Sequence, residues 1–405
     1  MQVCVIGGGI IGQTSAYFLR QQGHEVTLVE RETGPGLGAS AANGAQLSYS
    51  YVQPLADPSV LASIPRLLLA RDSPLKWVPQ LHPAQWRWCL AFLAACRTSM
   101  SQQTTVELLQ LAEQSRRAFE RFRQHEQLDC DFSASGKLVL YPDAAGLEAA
   151  RRQVDFQAQH GSQQRLVTTA QAVAIEPALQ GYAGSFHGAV YTESECAIDG
   201  LKLCQALDNR LRADGATLLY GHNADGFVSE AGRIRALWLT GPDGKRQQLQ
   251  ADQFVVAAGA LSAPLLANLG LRPAVYPLKG YSITVPVQAV QHAPTVSITD
   301  LRRKTVFARL GERLRVAGRV EICGYDRGIP ARCIDDLHSA AFDLFGQGAA
   351  QVERHAWMGW RPATPTGRPI IGAYGFDNLL LNCGQGALGM TLAFGSGERL
   401  AQLLA

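Results

Sequence analysis

The order of apolar and polar positions divides the chain into segments of helical and strand period. Residues 2–6 (Gln-Val-Cys-Val-Ile) form a short apolar run that stops at a glycine cluster, which predicts a buried strand, and the apolar stretch at 10–22 predicts a helix. A second strand is expected from His24 to Val29. Together these make a β-α-β unit of about thirty residues, the size of a mononucleotide-binding half. Beyond residue 48 the character changes: Pro54, Pro58, Pro65, Pro74, Pro79 and Pro83 punctuate a stretch that carries Trp77, Trp86 and Trp88, where a second domain is expected to begin. From Ser101 to Gln127 the pattern is a long amphipathic helix with Leu108, Leu111, Phe119 and Phe122 on one face. Further helices are expected at 143–159 and 199–212, and strands at 136–141, 216–220, 233–240 and 253–258. Alternation at 280–285, 304–309 and 313–318 predicts an antiparallel sheet, before a last strand and helix within 379–404. The expected fold class is therefore α/β plus α+β. A Rossmann-like nucleotide-binding domain (1–48, 190–270 and 359–405) is interleaved with an antiparallel-sheet substrate or cap domain (49–189 and 271–358).

Composition narrows the partners. With 405 residues, 47% of them hydrophobic and 18% charged, the chain has enough apolar mass for a full core. The formal charge of +3 is small, and Lys and Arg are scattered, so no nucleic-acid footprint is visible and a small-molecule partner is expected. Nine cysteines, an odd number without C-x-x-C spacing, argue against a disulfide framework and against a zinc site, so no metal is expected. A reducing, cytoplasmic location follows from that reading. The chain opens in a strand without a basic region and cleavage site, so no secretory signal is expected, and it has no apolar run of the ~20 residues a spanning helix requires.

Candidate chemistry starts at Gly7-Gly8-Gly9-Ile10-Ile11-Gly12, which satisfies G-x-G-x-x-G between a strand and a helix. Gly7 makes the tight turn, Gly9 lets backbone approach a pyrophosphate, and Gly12 lets the helix pack closely. Phosphates belong at the helix N-terminus, where free N–H groups and the dipole favour negative charge. Glu30 ends the second strand, where a carboxylate accepts both ribose hydroxyls and repels a 2′-phosphate, which disfavours NADP. Glycine loops also occur for turn geometry alone, and Glu30 has a bland alternative as a solvated strand-end acid. The fingerprint does not choose between FAD and NAD.

The wider chain does. The run Val-Cys-Val-Ile-Gly-Gly-Gly-Ile-Ile-Gly with Glu30-Arg31, followed by Ser40-Ala-Ala-Asn43-Gly44-Ala-Gln46, resembles the D-amino-acid oxidase superfamily of flavoproteins. Within it the chain is most similar to the bacterial D-amino-acid dehydrogenases of small-subunit type, with glycine oxidase and sarcosine oxidase more distant. Three later segments extend the likeness: Val275-Tyr-Pro-Leu-Lys279-Gly280-Tyr281-Ser-Ile-Thr, Gly359-Trp-Arg361-Pro362-Ala-Thr364-Pro365 and Asn382-Cys-Gly384-Gln385-Gly386-Ala-Leu-Gly389. The resemblance implies an FAD cofactor and a second domain that lays its antiparallel sheet over the isoalloxazine ring. It implies Ser40, Asn43, Gly44 and Gln46 near the pyrophosphate and flavin. Ile10, Ile11, Arg31, Ala224, Ala258, Gly259 and Leu388 complete the candidate cofactor contacts. The chain departs from the pattern at Gln385, where these dehydrogenases often carry His, and at Met390, where Trp is common.

Amine oxidation by a flavin moves a hydride from the α-carbon, so the protein's task is orientation and charge, not base catalysis. A substrate carboxylate needs an anchor, and a guanidinium holds one in a fixed plane. The resemblance assigns this role to Arg361. Tyr281 and Tyr51 are candidates to donate a hydroxyl to the same carboxylate or to be ordinary core, and Lys279 to add charge near the ring or to be a solvated strand-end lysine. Gly384, Gly386 and Gly389 follow a buried strand and open the last helix, so their N–H groups suit the negative charge that develops on a reduced flavin. Residues 60–96 mix Leu67-Leu-Leu-Ala70, Trp77, Trp86, Trp88, Leu90, Phe92 and Leu93 with Arg66, Arg71, Lys76 and Arg87, which suits either an interfacial segment or core. The resemblance implies peripheral attachment to the inner face of the cell membrane and electron transfer to a quinone or respiratory-chain acceptor. The expected function is FAD-dependent oxidative deamination of D-amino acids to 2-oxo acids and ammonia. An oxygen-using amine oxidase of the glycine, sarcosine or D-proline type is the main alternative. The late Gly-Asp that relatives of a flavin monooxygenase carry is not found near residues 370–390, a non-catalytic nucleotide-holding subunit leaves Arg361 unexplained, and an NAD enzyme leaves the late glycines unexplained.

Overall fold

The computed structural model describes residues 1–61, 75–348 and 355–405, and two large sheets organise them. The first has six strands in the order Ile370–Tyr374, Phe376–Cys383, Gln253–Val256, Gln2–Ile6, Glu25–Glu30 and Thr217–Tyr220. The last five run parallel and the first is an antiparallel edge. Gln2–Ile6 reads as an unbroken apolar run because both its faces are covered, as in parallel sheets generally. Val3 and Val5 pack with Leu19, Leu28 and Leu400, under the helices Ile10–Gln21 and Gly389–Gln402. Cys4 and Ile6 pack with Phe227 and Leu237 of a three-stranded antiparallel layer on the other face. That layer (Asn223–Glu230, Arg233–Thr240, Arg246–Leu249) includes two strands the sequence pattern did not predict, Asn223–Glu230 and Arg246–Leu249.

The C-terminal helix wedges between the first helix and the long helix Thr98–Glu126 because small residues let backbones touch. A Cβ on Gly395 would lie 2.6 Å from Leu111 O, and one on Gly397 would lie 2.8 Å from the Thr14 backbone. Thr14 Oγ1 donates to Ala393 O at 3.0 Å, and Phe119 and Phe122 pack on Phe394, so the two ends of the chain share one core.

The second sheet has nine strands. Its path runs His355–Ala363, Tyr276–Pro286, Arg313–Ile322, Thr305–Leu310, Ser297–Asp300, Lys137–Tyr141, Gly188–Thr192 and Arg165–Thr168, with Leu75–Trp77 joined to Arg313–Ile322. Neighbours are antiparallel except at two junctions. Strand period decides what each face meets. Tyr281, Ile283, Phe307 and Val316 point to the helix Ala331–Phe345, whose Leu337, Leu344 and Phe345 close that side. The alternate residues face the first domain, where Ser282 Oγ donates to Ala42 O at 2.6 Å and Arg315 Nη1 to Asn43 O at 2.8 Å. These bonds set the inner face of the sheet against the segment 40–46.

Candidate active site

The ends of four parallel strands converge on one edge of the first sheet, where ligands of open α/β sheets bind. After Ile6, Gly7 turns at φ +113° and donates its N–H to Val29 O at 2.8 Å. A Cβ on Gly12 would overlap the Gly7 carbonyl, so turn and helix are in backbone contact. Gly9 caps the helix without a side-chain acceptor, and Ile10 N–H donates to Ser40 Oγ at 3.0 Å. Glu30 stands over the same turn: Oε2 accepts from Gly8 N–H at 2.5 Å and Oε1 from Glu32 N–H at 2.8 Å. Arg31 is paired with Glu32 at 3.2 Å.

The C-terminal loop meets this turn through side-chain bonds. Asn382 Nδ2 donates to Ser15 Oγ at 3.0 Å, and Gln385 Nε2 donates to Asn382 Oδ1 at 2.7 Å. Gly384 and Gly386 are left-handed, Gly386–Leu388 is one 3-10 turn, and the last helix starts at Gly389 without a side-chain cap. Its first N–H groups are thus free for an acceptor. Gly259 follows the strand Gln253–Val256 on the same edge, and Ala258 Cα lies against Gly7.

These residues fit a dinucleotide. A Cβ at Gly259, Gly386 or Gly389 would meet nothing within 4 Å, and one at Gly9 only Ser40 Oγ at 3.5 Å. The glycines that front the strand ends border open space, whereas Gly7 and Gly12 are packed. Gln385 Oε1 is buried with no hydrogen-bond partner among the described residues. Of the remaining candidates, Asn43 Oδ1 accepts from Ala45 N–H at 2.8 Å, Gly44 abuts Val306, and Gln46 Nε2 donates to the carbonyls of Ile298 and Phe307. Ile10, Ile11 and Leu388 line the core beside Met390, and Ala224 packs in the cluster that holds Ile6 and Val29.

Arg361 lies on the inner face of the second sheet, paired with Leu278 across the strands. Its guanidinium lies over Gly280, and Nη1 donates to Arg319 O at 3.0 Å. Among the described residues no carboxylate pairs with it, and burial pulls its pKa down to about 10. Of five guanidinium donors, the rest remain for an incoming anion.

Tyr281, Lys279 and Tyr51 do not join Arg361. Tyr281 is an odd-numbered neighbour of Gly280, so the pleat sends it to the opposite face. There its hydroxyl donates to Glu321 Oε2 at 2.7 Å, and burial followed by that carboxylate holds the phenol far above its usual range. Lys279 shares this face, fully buried and bonded to Asp326, with Glu321 at 3.8 Å. Tyr51 lies 4.4 Å below the ammonium of Lys137, itself donating to Ser48 Oγ at 2.8 Å. The strand of Lys137 is four places from that of Gly280, about 19 Å across the sheet, so one carboxylate does not reach both. Missed in the sequence were the inner-face partners Ser282 and Arg315, the carbonyl of Arg319, and Trp357, whose ring crosses Gly359. The alternation at 280–285 carried the signal for Ser282; the others depend on cross-strand contacts.

The fold is that of known flavoenzymes. Glycine oxidase from Geobacillus kaustophilus superposes with a TM-score of 0.75 at 22% identity, covering 99% of this chain and 94% of its own. L-proline dehydrogenase from P. horikoshii gives 0.74 at 18%, covering 100% and 93%. In sequence, a Ralstonia nicotianae protein named D-amino acid dehydrogenase 2 is 45% identical over 100% of this chain and 96% of its own length. A Pseudomonas aeruginosa protein of the same name is 44% identical over 99% and 94%. The model of the DAO family, described as FAD dependent oxidoreductase, matches residues 2–403, and with so little of the sequence left outside that match the chain belongs to this family.

Proposed function

We propose that this protein oxidises free D-amino acids to 2-oxo acids and ammonia, with FAD as its cofactor and a quinone or respiratory-chain component as electron acceptor. The observation that carries the reading is Arg361: a guanidinium without a carboxylate partner among the described residues, on the sheet face that meets the flavin-binding segment. The names of the relatives at 45% and 44% identity support the D-series. When bound, FAD supplies the two-electron acceptor for the α-hydrogen. The chain's own contribution is to hold and orient. Arg361 fixes the substrate carboxylate, and its strand neighbours Leu278, Gly280, Trp357 and Gly359 are themselves neither acid nor imidazole. The N–H groups at the starts of the first and last helices, apart from that of Ile10, which Ser40 Oγ accepts, stabilise negative charge on the dinucleotide. Anaerobic titration with D- and L-amino acids tests this: D-forms are expected to bleach the flavin absorbance while L-forms leave it intact, and a flavin that no D-amino acid reduces overturns the reading.

Electron delivery to a membrane acceptor calls for a docking face. Among the described residues no helix is long and apolar enough to cross a membrane. The helix Pro83–Ala95 instead presents Trp86, Leu90 and Leu93 outward beside fully exposed Leu81, with Arg87 and Arg97 around them. Trp88 is not part of this face: it is buried, stacked on Phe92, and donates Nε1–H to Ala363 O at 2.8 Å. Arg66, Arg71 and Leu67 to Ala70 lie outside the described residues. This face rests in the headgroup layer of an anionic bilayer. Each large apolar side chain contributes roughly 1.5–3 kcal/mol there, so the pair Trp86→Ser and Leu90→Ser is expected to weaken sedimentation with anionic vesicles more than about tenfold. Unchanged sedimentation counts against the face.

A further inference from the structure

We propose that Gly280 and the left-handed backbone of Arg319 form a seat that fixes the plane of the Arg361 guanidinium, so that both are positioning residues for the substrate carboxylate. The inference rests on Arg361 as the carboxylate anchor and extends it to residues that touch neither substrate nor cofactor.

Space, not backbone freedom, requires glycine at 280. The residue sits mid-strand in Tyr276–Pro286 and is not among the left-handed glycines. A Cβ there would fall 2.5 Å from Cζ and Nη2 of Arg361 and closer still to Nη1. The guanidinium thus lies flat on bare backbone. Across the strands Gly280 pairs with Gly359, whose own surface is covered by the Trp357 ring, 2.6 Å from a Cβ at Cζ2. Two facing glycines therefore make one floor, shared between an indole and a guanidinium.

On the other side of Gly280 the ladder carries an extra residue. Lys279 pairs with Glu321 and Tyr281 with Gly318, so three steps on one strand oppose two on the other. Such a bulge re-aims the groups it contains. Arg319 lies inside it at φ +60°, a conformation that non-glycine residues adopt rarely and that marks functional constraint when the surroundings hold it. The side chain of Arg319 turns away to Asp336 and Cys333, and its carbonyl accepts the Arg361 Nη1–H at 3.0 Å. With one edge tied to this carbonyl and one face against Gly280, the opposite edge of the fork is left to receive a carboxylate in a set plane.

Kinetics on the holoenzyme with its best D-amino acid, by anaerobic dye reduction, separate this role from a structural one. In Gly280→Ala the added methyl meets the far end of a flexible side chain, so the arginine swings aside and the fold persists. KM is expected to rise about 10- to 100-fold, the size of effect a 1 Å misplacement has, with flavin content and thermal midpoint unchanged. Arg319→Val, a β-branched residue that resists the left-handed region, is expected to raise KM likewise. Arg319→Gly, which also lacks the side chain but adopts that conformation freely, is expected to recover most of the loss. Arg361→Ala belongs in the same series. If it leaves KM and kcat/KM intact, the anchor assignment fails; if it lowers kcat/KM while Gly280→Ala and Arg319→Val do not raise KM, the seat alone is overturned. A fall in flavin content or midpoint that accounts for the whole effect of Gly280→Ala also overturns it.

Discussion

Replacing Arg361 with alanine is expected to lower kcat/KM for D-amino acids about a thousandfold while the protein stays yellow. A hydrogen bond to a charged partner contributes about 1.5–3 kcal/mol, and a bidentate pair supplies two. About 4 kcal/mol of lost orientation and binding corresponds to a factor of about a thousand. No described carboxylate depends on this guanidinium, so its removal strands no buried acid, and the cofactor cradle lies on the other sheet. Arg361→Lys keeps the charge but not the planar fork, and a loss of about a hundredfold is expected. Stopped-flow reduction of the flavin measures both variants, and a change smaller than tenfold for Arg361→Ala would falsify the assignment.

Gly12→Ala is expected to yield a protein with almost no flavin and a severely lowered thermal midpoint. The new methyl would overlap the Gly7 carbonyl, and neither backbone has room to retreat: Gly7 is held by Val29 O and abuts the Ala257 carbonyl on its other side. Overpacking against mobile side chains costs about 1–3 kcal/mol, and here the obstacle is main chain at the centre of the sheet. Gly9→Val is the informative contrast. Its side chain enters space bordered only by Ser40 Oγ, so the variant is expected to fold with a near-normal midpoint yet bind FAD at least about a hundredfold more weakly, because the pyrophosphate needs that space. The ratio of flavin to protein absorbance and a melting curve decide both. A yellow Gly12→Ala protein with an unchanged midpoint would show that the turn tolerates what its geometry forbids.

Strands with an apolar run and a helix with one clear buried stripe were the most legible. Gln2–Ile6, Gln253–Val256 and the helix Gly200–Ala213 lie within a residue or two of their expected places. Asn223–Glu230 escaped notice because Asn223, Asp225 and Gly226 disfavour strand and a bulge interrupts its pairing. The helix Ala331–Phe345 shows Ile334, Leu337, Ala341 and Leu344 at helical spacing, a signal that was present and passed over. For the site, Gly7 to Gly12 and Glu30 are a local unit and could be read locally. Arg361 depended on a motif. Tyr281 was a candidate for the substrate carboxylate or for core, and Lys279 for charge near the ring or a strand end, but a strand sends alternate residues to opposite faces, and Gly280 rather than its neighbours belongs with Arg361. Tyr51 and Trp88 were each open between a functional place and core for a related reason: aromatic type says that a side chain wants cover, not which element supplies it.

The shared core at the two chain ends has a consequence for synthesis. Thr14 and Ala393 are bonded across 379 residues, and Ser15 and Asn382 across 367. A growing chain therefore carries Thr14 and Ser15, within the strand, glycine turn and helix at 2–21, through 367 or more further residues of synthesis before the segments that complete their surroundings emerge from the ribosome. Contacts of such long sequence separation form late and slowly, and until they form the apolar face of the first helix is a natural client for a chaperone. The proposed FAD site draws on both of these segments, so the cofactor binds once the later one has emerged, and its binding then favours the folded state over the unfolded one.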